Sequence, residues 1–187
     1  MYNYDFHKAI EHDELPQARR LADYIQMTLK PSVFFDFGCS TGLYLREIKR
    51  TMPDIESKGF EFSEEAVSSA LCADVLKRDL TIPLNMEKKA NTLGMCLEVL
   101  EHIREEDWRP VLTNITNLCD RILFSATFPG QGGTGHINCR NKIDWIRRFH
   151  SLGWVVDLDA TKDILQFMKR GVHMGWFAIN AMVLVKA

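Results

Sequence analysis

The stretch that most constrains the fold is Val33-Phe34-Phe35-Asp36-Phe37-Gly38-Cys39-Ser40-Thr41-Gly42, a β-branched and aromatic run that passes through a glycine turn into a helical pattern. A near-continuous apolar run is what a strand buried on both faces requires. A strand that turns directly into a helix opens a parallel crossover, because the helix must cover a sheet face before the chain returns beside the first strand.

The rest of the chain repeats that unit. A helix over about 16–29, with Pro16 in its first turn, places Ala18, Leu21, Ala22, Ile25 and Leu29 on one face. Further strands are expected at about 58–62, 74–76, 91–97, 121–127, 154–158 and 176–186. Between them lie helices at about 42–52, 107–117, 142–152 and 161–169, and a short one capped by Ser63 with Glu64 and Glu65 in its first turn. Strands alternating with helices predict a doubly wound α/β sheet, whose ligands sit at the carboxyl ends of the strands. No linker-like tract divides the 187 residues, so one domain over 1–187 is expected, with 1–30 as an N-terminal lid or helix. Tyr2, Tyr4 and Phe6 either stack on a ligand from that lid or staple the N-terminus to the core.

Composition narrows the class of partner. A net charge of −2 provides no global basic field for nucleic acid or an anionic membrane, which favours a small substrate. No apolar run is long enough to span a bilayer and the first residues lack the order of a signal peptide, so a cytoplasmic protein is expected. Cys39, Cys72, Cys96, Cys119 and Cys139 form no Cys-x-x-Cys pair and read as reduced thiols.

The turn at Asp36 to Gly42 brings backbone N–H groups and a helix start toward a ligand, with Gly38 allowing the tight turn and Gly42 a close helix approach. A dinucleotide fingerprint would need glycine where Ser40 and Leu43 stand. A phosphate loop at 130–137 would need lysine and a hydroxyl where His136 and Ile137 stand. NAD and ATP are disfavoured. Glu61, at the end of the second strand, lies where a carboxylate can accept both ribose hydroxyl hydrogens.

On these residues the sequence resembles the class I S-adenosylmethionine-dependent methyltransferases, whose first motif is an acidic residue followed by a glycine-rich turn, as in Asp36 to Gly42, with Ser40 where many members have glycine. The resemblance continues through Glu61, through Asp79 in the place of an acid that contacts the adenine, and through Met95-Cys-Leu-Glu98-Val-Leu-Glu101-His102-Ile103. It implies a seven-stranded, mostly parallel Rossmann-like sheet with an antiparallel last strand. It further implies S-adenosylmethionine as cofactor, leaving S-adenosylhomocysteine, with Asp36, Gly38, Cys39, Ser40, Gly42, Glu61, Phe62, Asp79, Leu80, Cys96 and Glu98 as the cofactor-binding residues.

Methyl transfer from a sulfonium is an in-line displacement, and a hydroxyl acceptor needs a base. His102 after the fourth strand and His136 at the end of the glycine loop are the two candidates. Glu98, Glu101, His102 and His136 also form an oxygen and nitrogen set suited to a divalent ion. That set resembles the Glu-x-x-Glu-His segment of plant-type small-RNA 2′-O-methyltransferases and ubiquinone-pathway O-methyltransferases; the reading preferred here is metal-free. Gly135-His-Ile-Asn followed by Trp145-Ile-Arg-Arg-Phe149 resembles methyltransferases found with glycan-modifying enzymes and in phages, which points to a sugar or similar hydroxyl. Two alternatives stay open. Arg140, Lys142, Arg147 and Arg148 cluster by sequence beside the glycine-rich acceptor loop at 128–140, which is expected to close on substrate. An RNA methyltransferase would use such a cluster, and a non-catalytic cofactor-binding module would share the same motif.

Overall fold

The computed structural model describes residues 4–170 and 175–187, with 4–10 described by their backbone alone. Tyr2 and the side chains of Tyr4 and Phe6 lie outside the described residues. Helix α1 (Tyr4–Tyr24) runs on into a π-helical turn, Ile25–Leu29, that ends at Lys30 in the left-handed conformation. The chain then alternates through β1 (Val33–Phe37), α2 (Leu43–Thr51), β2 (Glu56–Glu61), α3 (Glu64–Ser68), β3 (Val75–Lys77), β4 (Thr92–Leu97), α4 (Trp108–Leu118) and β5 (Arg121–Ser125). It finishes with α5 (Lys142–His150), β6 (Trp154–Val156), α6 (Leu158–Lys169), α7 (Gly175–Asn180) and β7 (Met182–Lys186).

The strands form one seven-stranded sheet in the order β3-β2-β1-β4-β5-β7-β6. β1 to β5 pair in parallel, and β7 runs antiparallel to both β5 and β6. Strand order reverses between β1 and β4, and at that point loops from neighbouring strands diverge and leave a crevice. The strand period of two divides the core. Val33, Phe35 and Phe37 pack with Phe60, Leu112, Phe124 and Phe149 on one face, while Phe34 packs with Leu21, Tyr24, Ile25, Leu45 and Phe177 on the other.

Three boundaries differ from the sequence expectation. The first helix does not begin at Pro16 but twelve residues earlier at Tyr4, with Pro16 inside it; the intervening Lys, Ala, Ile, Glu and Leu favour helix strongly enough to extend it. Residues 176–180 are not strand. They form α7, because Phe177 and Asn180 are buried one turn apart, and the last strand starts only at Met182. Asp157 accepts a hydrogen bond from the Ala160 N–H at 2.9 Å, an N-cap that starts α6 at Leu158 and ends β6 at Val156.

Candidate active site

At the carboxyl edge of the sheet a cavity of about 720 Å³ opens beside the β1–β4 switch point. That is the size of a small-ligand site. Of the residues singled out by sequence, Asp36, Gly38, Cys39, Ser40, Glu61, Phe62, Asp79, Leu80, Glu98, His102 and His136 line it. Gly42 and Cys96 do not. Gly42 opens α2 with φ +80°, where a Cβ would collide with Val75, so it supports the turn without facing the ligand. Cys96 points to the opposite face of β4 from the cavity-lining Met95 and Leu97 and is buried in the core.

The turn after β1 departs from expectation in one respect. The Gly38 and Cys39 N–H groups both donate to Phe60 O, at 2.8 and 3.2 Å, the Gly42 N–H donates to Cys39 O at 2.9 Å, and the Ser40 N–H donates to Glu61 Oε2 at 2.8 Å. These four amides are already bonded within the protein, so they form no cradle for an anionic ligand. The reason is the pairing of β1 with β2, which brings the end of β2 against the turn. Ser40 has φ +51°, the left-handed region that glycine enters without steric cost. Glu98 has φ +53° at the corresponding turn after β4.

Glu61 is held at both oxygens, Oε2 by Ser40 N–H and Oε1 by Ser63 N–H at 2.7 Å. Each carboxylate oxygen keeps a further lone pair for a ligand hydroxyl. Asp79 Oδ1 accepts from the Thr81 N–H at 2.9 Å and from the Thr81 hydroxyl at 2.7 Å. Phe62 is 69% exposed, offering a ring face at the cavity rim. Asp36 is 3% exposed and its Oδ2 has no hydrogen-bond partner among the described residues. Burial, with Glu61 and Glu14 nearby, pushes the Asp36 carboxyl well above the usual range.

Behind Glu98, which lines the cavity, lies a buried polar network built on Thr127, Glu101 and Asn180. The Thr127 hydroxyl lies 2.6 Å from Glu101 Oε1 and 2.8 Å from Glu98 Oε2. Asn180 Nδ2 donates to Gln131 Oε1 at 2.9 Å and to Glu98 Oε1 at 3.3 Å, tying α7 to the glycine loop. Ile137 and Asn138 N–H groups donate to the Glu101 carbonyl at 2.8 and 2.9 Å, which pins the end of that loop. Glu101 is fully buried, and burial followed by the Glu98 charge pushes its carboxyl up to about 7.

The two histidines meet here, ring centroids 4.8 Å apart and nearly perpendicular. His102 Nδ1 lies 3.1 Å from Gly135 O. A carbonyl only accepts, so Nδ1 carries the proton and Nε2 is the basic nitrogen of the neutral ring. Burial lowers the His102 pKa, with Gly135 opposing and His136 reinforcing the shift. His136 packs so closely on Gly133 that a Cβ there would overlap the ring. Glu101, His102 and His136 bring ligand atoms within 4.8 Å of one another, whereas Glu98 is engaged by Thr127 and Asn180.

No family model matches the sequence, and no curated protein matches it. Solved structures do. DesVI of Streptomyces venezuelae superposes with a TM-score of 0.70 at 13% identity, covering 98% of this chain and 97% of that one. This is the class I methyltransferase fold. Magnesium protoporphyrin IX methyltransferase of Synechocystis PCC 6803 with bound S-adenosylhomocysteine gives a TM-score of 0.67 at 16% identity, covering 100% and 89%. Mitomycin 7-O-methyltransferase MmcR gives 0.67 at 13%, covering 97% of this chain, which spans 56% of that protein's length.

Within the methyltransferase fold, the basic cluster expected near the acceptor loop is largely committed internally. Arg140 and Arg148 pair with Glu105 at 2.9 and 2.6 Å, and Arg148 also lies over the rings of Trp108 and Trp145. Lys142 Nζ donates to the carbonyls of Ile179 and Ala181, at 3.3 and 2.8 Å. Glu14, Tyr44, Thr127 and Asn180 are polar residues that sequence reasoning missed. Only Thr127 carried a local signal, as a polar residue ending an apolar strand. No helix of the described residues is long and apolar enough to cross a membrane.

Proposed function

We propose that the chain is a methyltransferase that binds S-adenosylmethionine in this cavity and methylates a hydroxyl of a small molecule, a sugar or similar acceptor. The observation that carries this reading is the order of acids along the strand tips. Asp36 after β1, Glu61 after β2 and Asp79 after β3 line one cavity whose turn amides are already bonded. Such a surface suits a cationic nucleoside and repels a phosphate. Glu61 would hold the ribose hydroxyls, Asp79 and Phe62 would hold the adenine, and Glu98 and the two histidines would face the end that carries the transferable methyl group.

The donor, when bound, would supply a methyl group activated by its sulfonium, which the acceptor hydroxyl would take, leaving S-adenosylhomocysteine. The proton of the hydroxyl passes to a histidine, His136 or the Nε2 of His102. The protein's main contribution is alignment and exclusion of water. The free thiols suit a reducing compartment, and we place the activity in the cytoplasm. The test has two stages: calorimetry with S-adenosylmethionine and S-adenosylhomocysteine, then an acceptor screen with labelled donor, reading transferred methyl by mass. Folded protein that gives heat with neither nucleoside overturns the reading.

One observation favours a second reading in which a divalent ion helps position the acceptor. Among the described residues Glu101 Oε2 and His136 Nδ1 are buried without a hydrogen-bond partner, and with His102 they make a donor set that fits such an ion. An ion held there would lower the pKa of the acceptor hydroxyl. Activity that survives exhaustive chelation ends this variant.

A further inference from the structure

We propose that helix α1 completes the donor site, with Glu14 and Asp36 together receiving the α-ammonium at the amino-acid end of S-adenosylmethionine. The inference rests on the donor reading given above. Its starting point is the face on which Asp36 lies. The strand period puts Asp36 on the side of β1 that carries Phe34, and that side is packed by Leu21, Ala22 and Tyr24 of α1. Helix α1 therefore lies over the half of the crevice into which Asp36 points, and its Glu11 and Glu14, one turn apart, both line the cavity.

Glu14 is held there by neutral groups. The Tyr44 hydroxyl donates to Glu14 Oε2 at 3.2 Å, and Gln17 Nε2 donates to the Tyr44 oxygen at 2.5 Å. Together they fix the direction of the carboxylate without neutralising it. Among the described residues, the charged and titratable groups that act on it are Asp13 on α1, Tyr44 on α2, Asp36 on β1 and Glu98 past β4, none of them a cation. Arg104, which also lines the cavity, is paired with Asp107.

Two mutually repelling carboxyls held in one pocket cost free energy that a bound cation relieves. Asp36 Oδ2 supplies the independent sign of a missing ligand, because it is buried, faces the cavity and has no hydrogen-bond partner among the described residues. An ammonium offers three N–H donors where a sulfonium offers none, so of the donor's two positive centres it is the ammonium that can satisfy both acids. Burial pushes the Glu14 carboxyl up to about 7, Tyr44 opposing and Glu98 and Asp13 adding, consistent with a group that ionises fully when its cation arrives.

The experiment compares three nucleosides by calorimetry on the full chain: S-adenosylmethionine, S-adenosylhomocysteine and 5′-methylthioadenosine, which keeps the nucleoside and lacks the amino-acid end. Glu14→Gln preserves shape and an acceptor for Tyr44. It is expected to weaken the first two by about tenfold or more and to leave the third within about twofold. Because the readout is a ratio within one variant, a general loss of folding lowers all three alike. An equal loss for all three, or no loss, overturns the inference and leaves the donor reading standing when the unmodified protein binds. Failure of the unmodified protein to bind any of them removes the donor reading, and this inference with it.

Discussion

The two halves of the cavity are built by different means. The half after β1, β2 and β3 is largely local: Glu61 and Asp79 stand at the tips of their own strands and are each held by an amide two residues on, Ser63 and Thr81, with Ser40 of the adjacent turn on the other oxygen of Glu61. The half after β4 and β5 is long-range. Glu98 meets Asn180 across 82 positions of sequence, and Thr127 meets Glu101 across 26. A site assembled locally tolerates change elsewhere in the chain, while one assembled across the fold depends on every element arriving in register. In the proposed reading the first half binds a constant cofactor and the second a particular acceptor, so the variable chemistry sits where the packing is most interdependent.

The largest effect that separates the halves is expected from His136→Ala. With His136 as the base, kcat falls by about 10²- to 10⁴-fold while donor affinity by calorimetry stays within about twofold. A fully active variant removes His136 from the chemistry and leaves His102 to carry it. The mirror experiment is Glu61→Ala in the local half. It removes the partner of two backbone amides and, in the proposed reading, both ribose contacts, and a loss of about 100-fold in donor affinity is expected. Donor binding unchanged in that variant would detach the local half from the cofactor.

These contrasts also explain what was legible in the sequence. Asp36, Glu61 and Asp79 could be found because a strand followed by a turn puts its last acid at the carboxyl edge whatever the rest of the fold does. The alternation of strands and helices was legible for the same reason, since each unit repeats a local pattern. Asn180 and Gln131 were not legible, because their roles exist only once α7 packs beside the glycine loop. Even α7 was missed: Trp176-Phe-Ala-Ile179 is an apolar run too short for its period to distinguish helix from strand. Glu14 was hidden by an expected helix start at Pro16, which left it outside any element.

A smaller effect concerns charge buried in both halves. Glu14 in the first and Glu101 in the second each have a carboxyl pushed up to about 7 from an ordinary 4.5, by burial first and then, among other groups, by the charge of Glu98. Between those values the folded protein holds protons that the unfolded chain has released, so donor-free stability falls as pH rises from about 4.5 to 7 and levels off above. Melting temperature against pH should show that descent. Glu14→Gln and Glu101→Gln should each flatten part of it, and an unchanged profile in both variants would mean that neither carboxyl is raised.

The smallest effect tests the backbone where the two halves meet, at the turn after β1. Ser40 stands at φ +51° with its N–H held by Glu61, so the conformation is imposed by the turn and not chosen by the serine. Glycine takes such a φ freely, and Ser40→Gly should leave donor affinity within about threefold. A β-branched residue meets the full steric cost there, so Ser40→Val should lose about 1–2 kcal/mol of stability, which for a chain of this size lowers Tm by a few degrees. Chemical denaturation of the two variants side by side checks it. If valine is as stable as glycine at position 40, the left-handed turn is not what the fold requires, and the placement of Glu61 beneath it loses its physical reason.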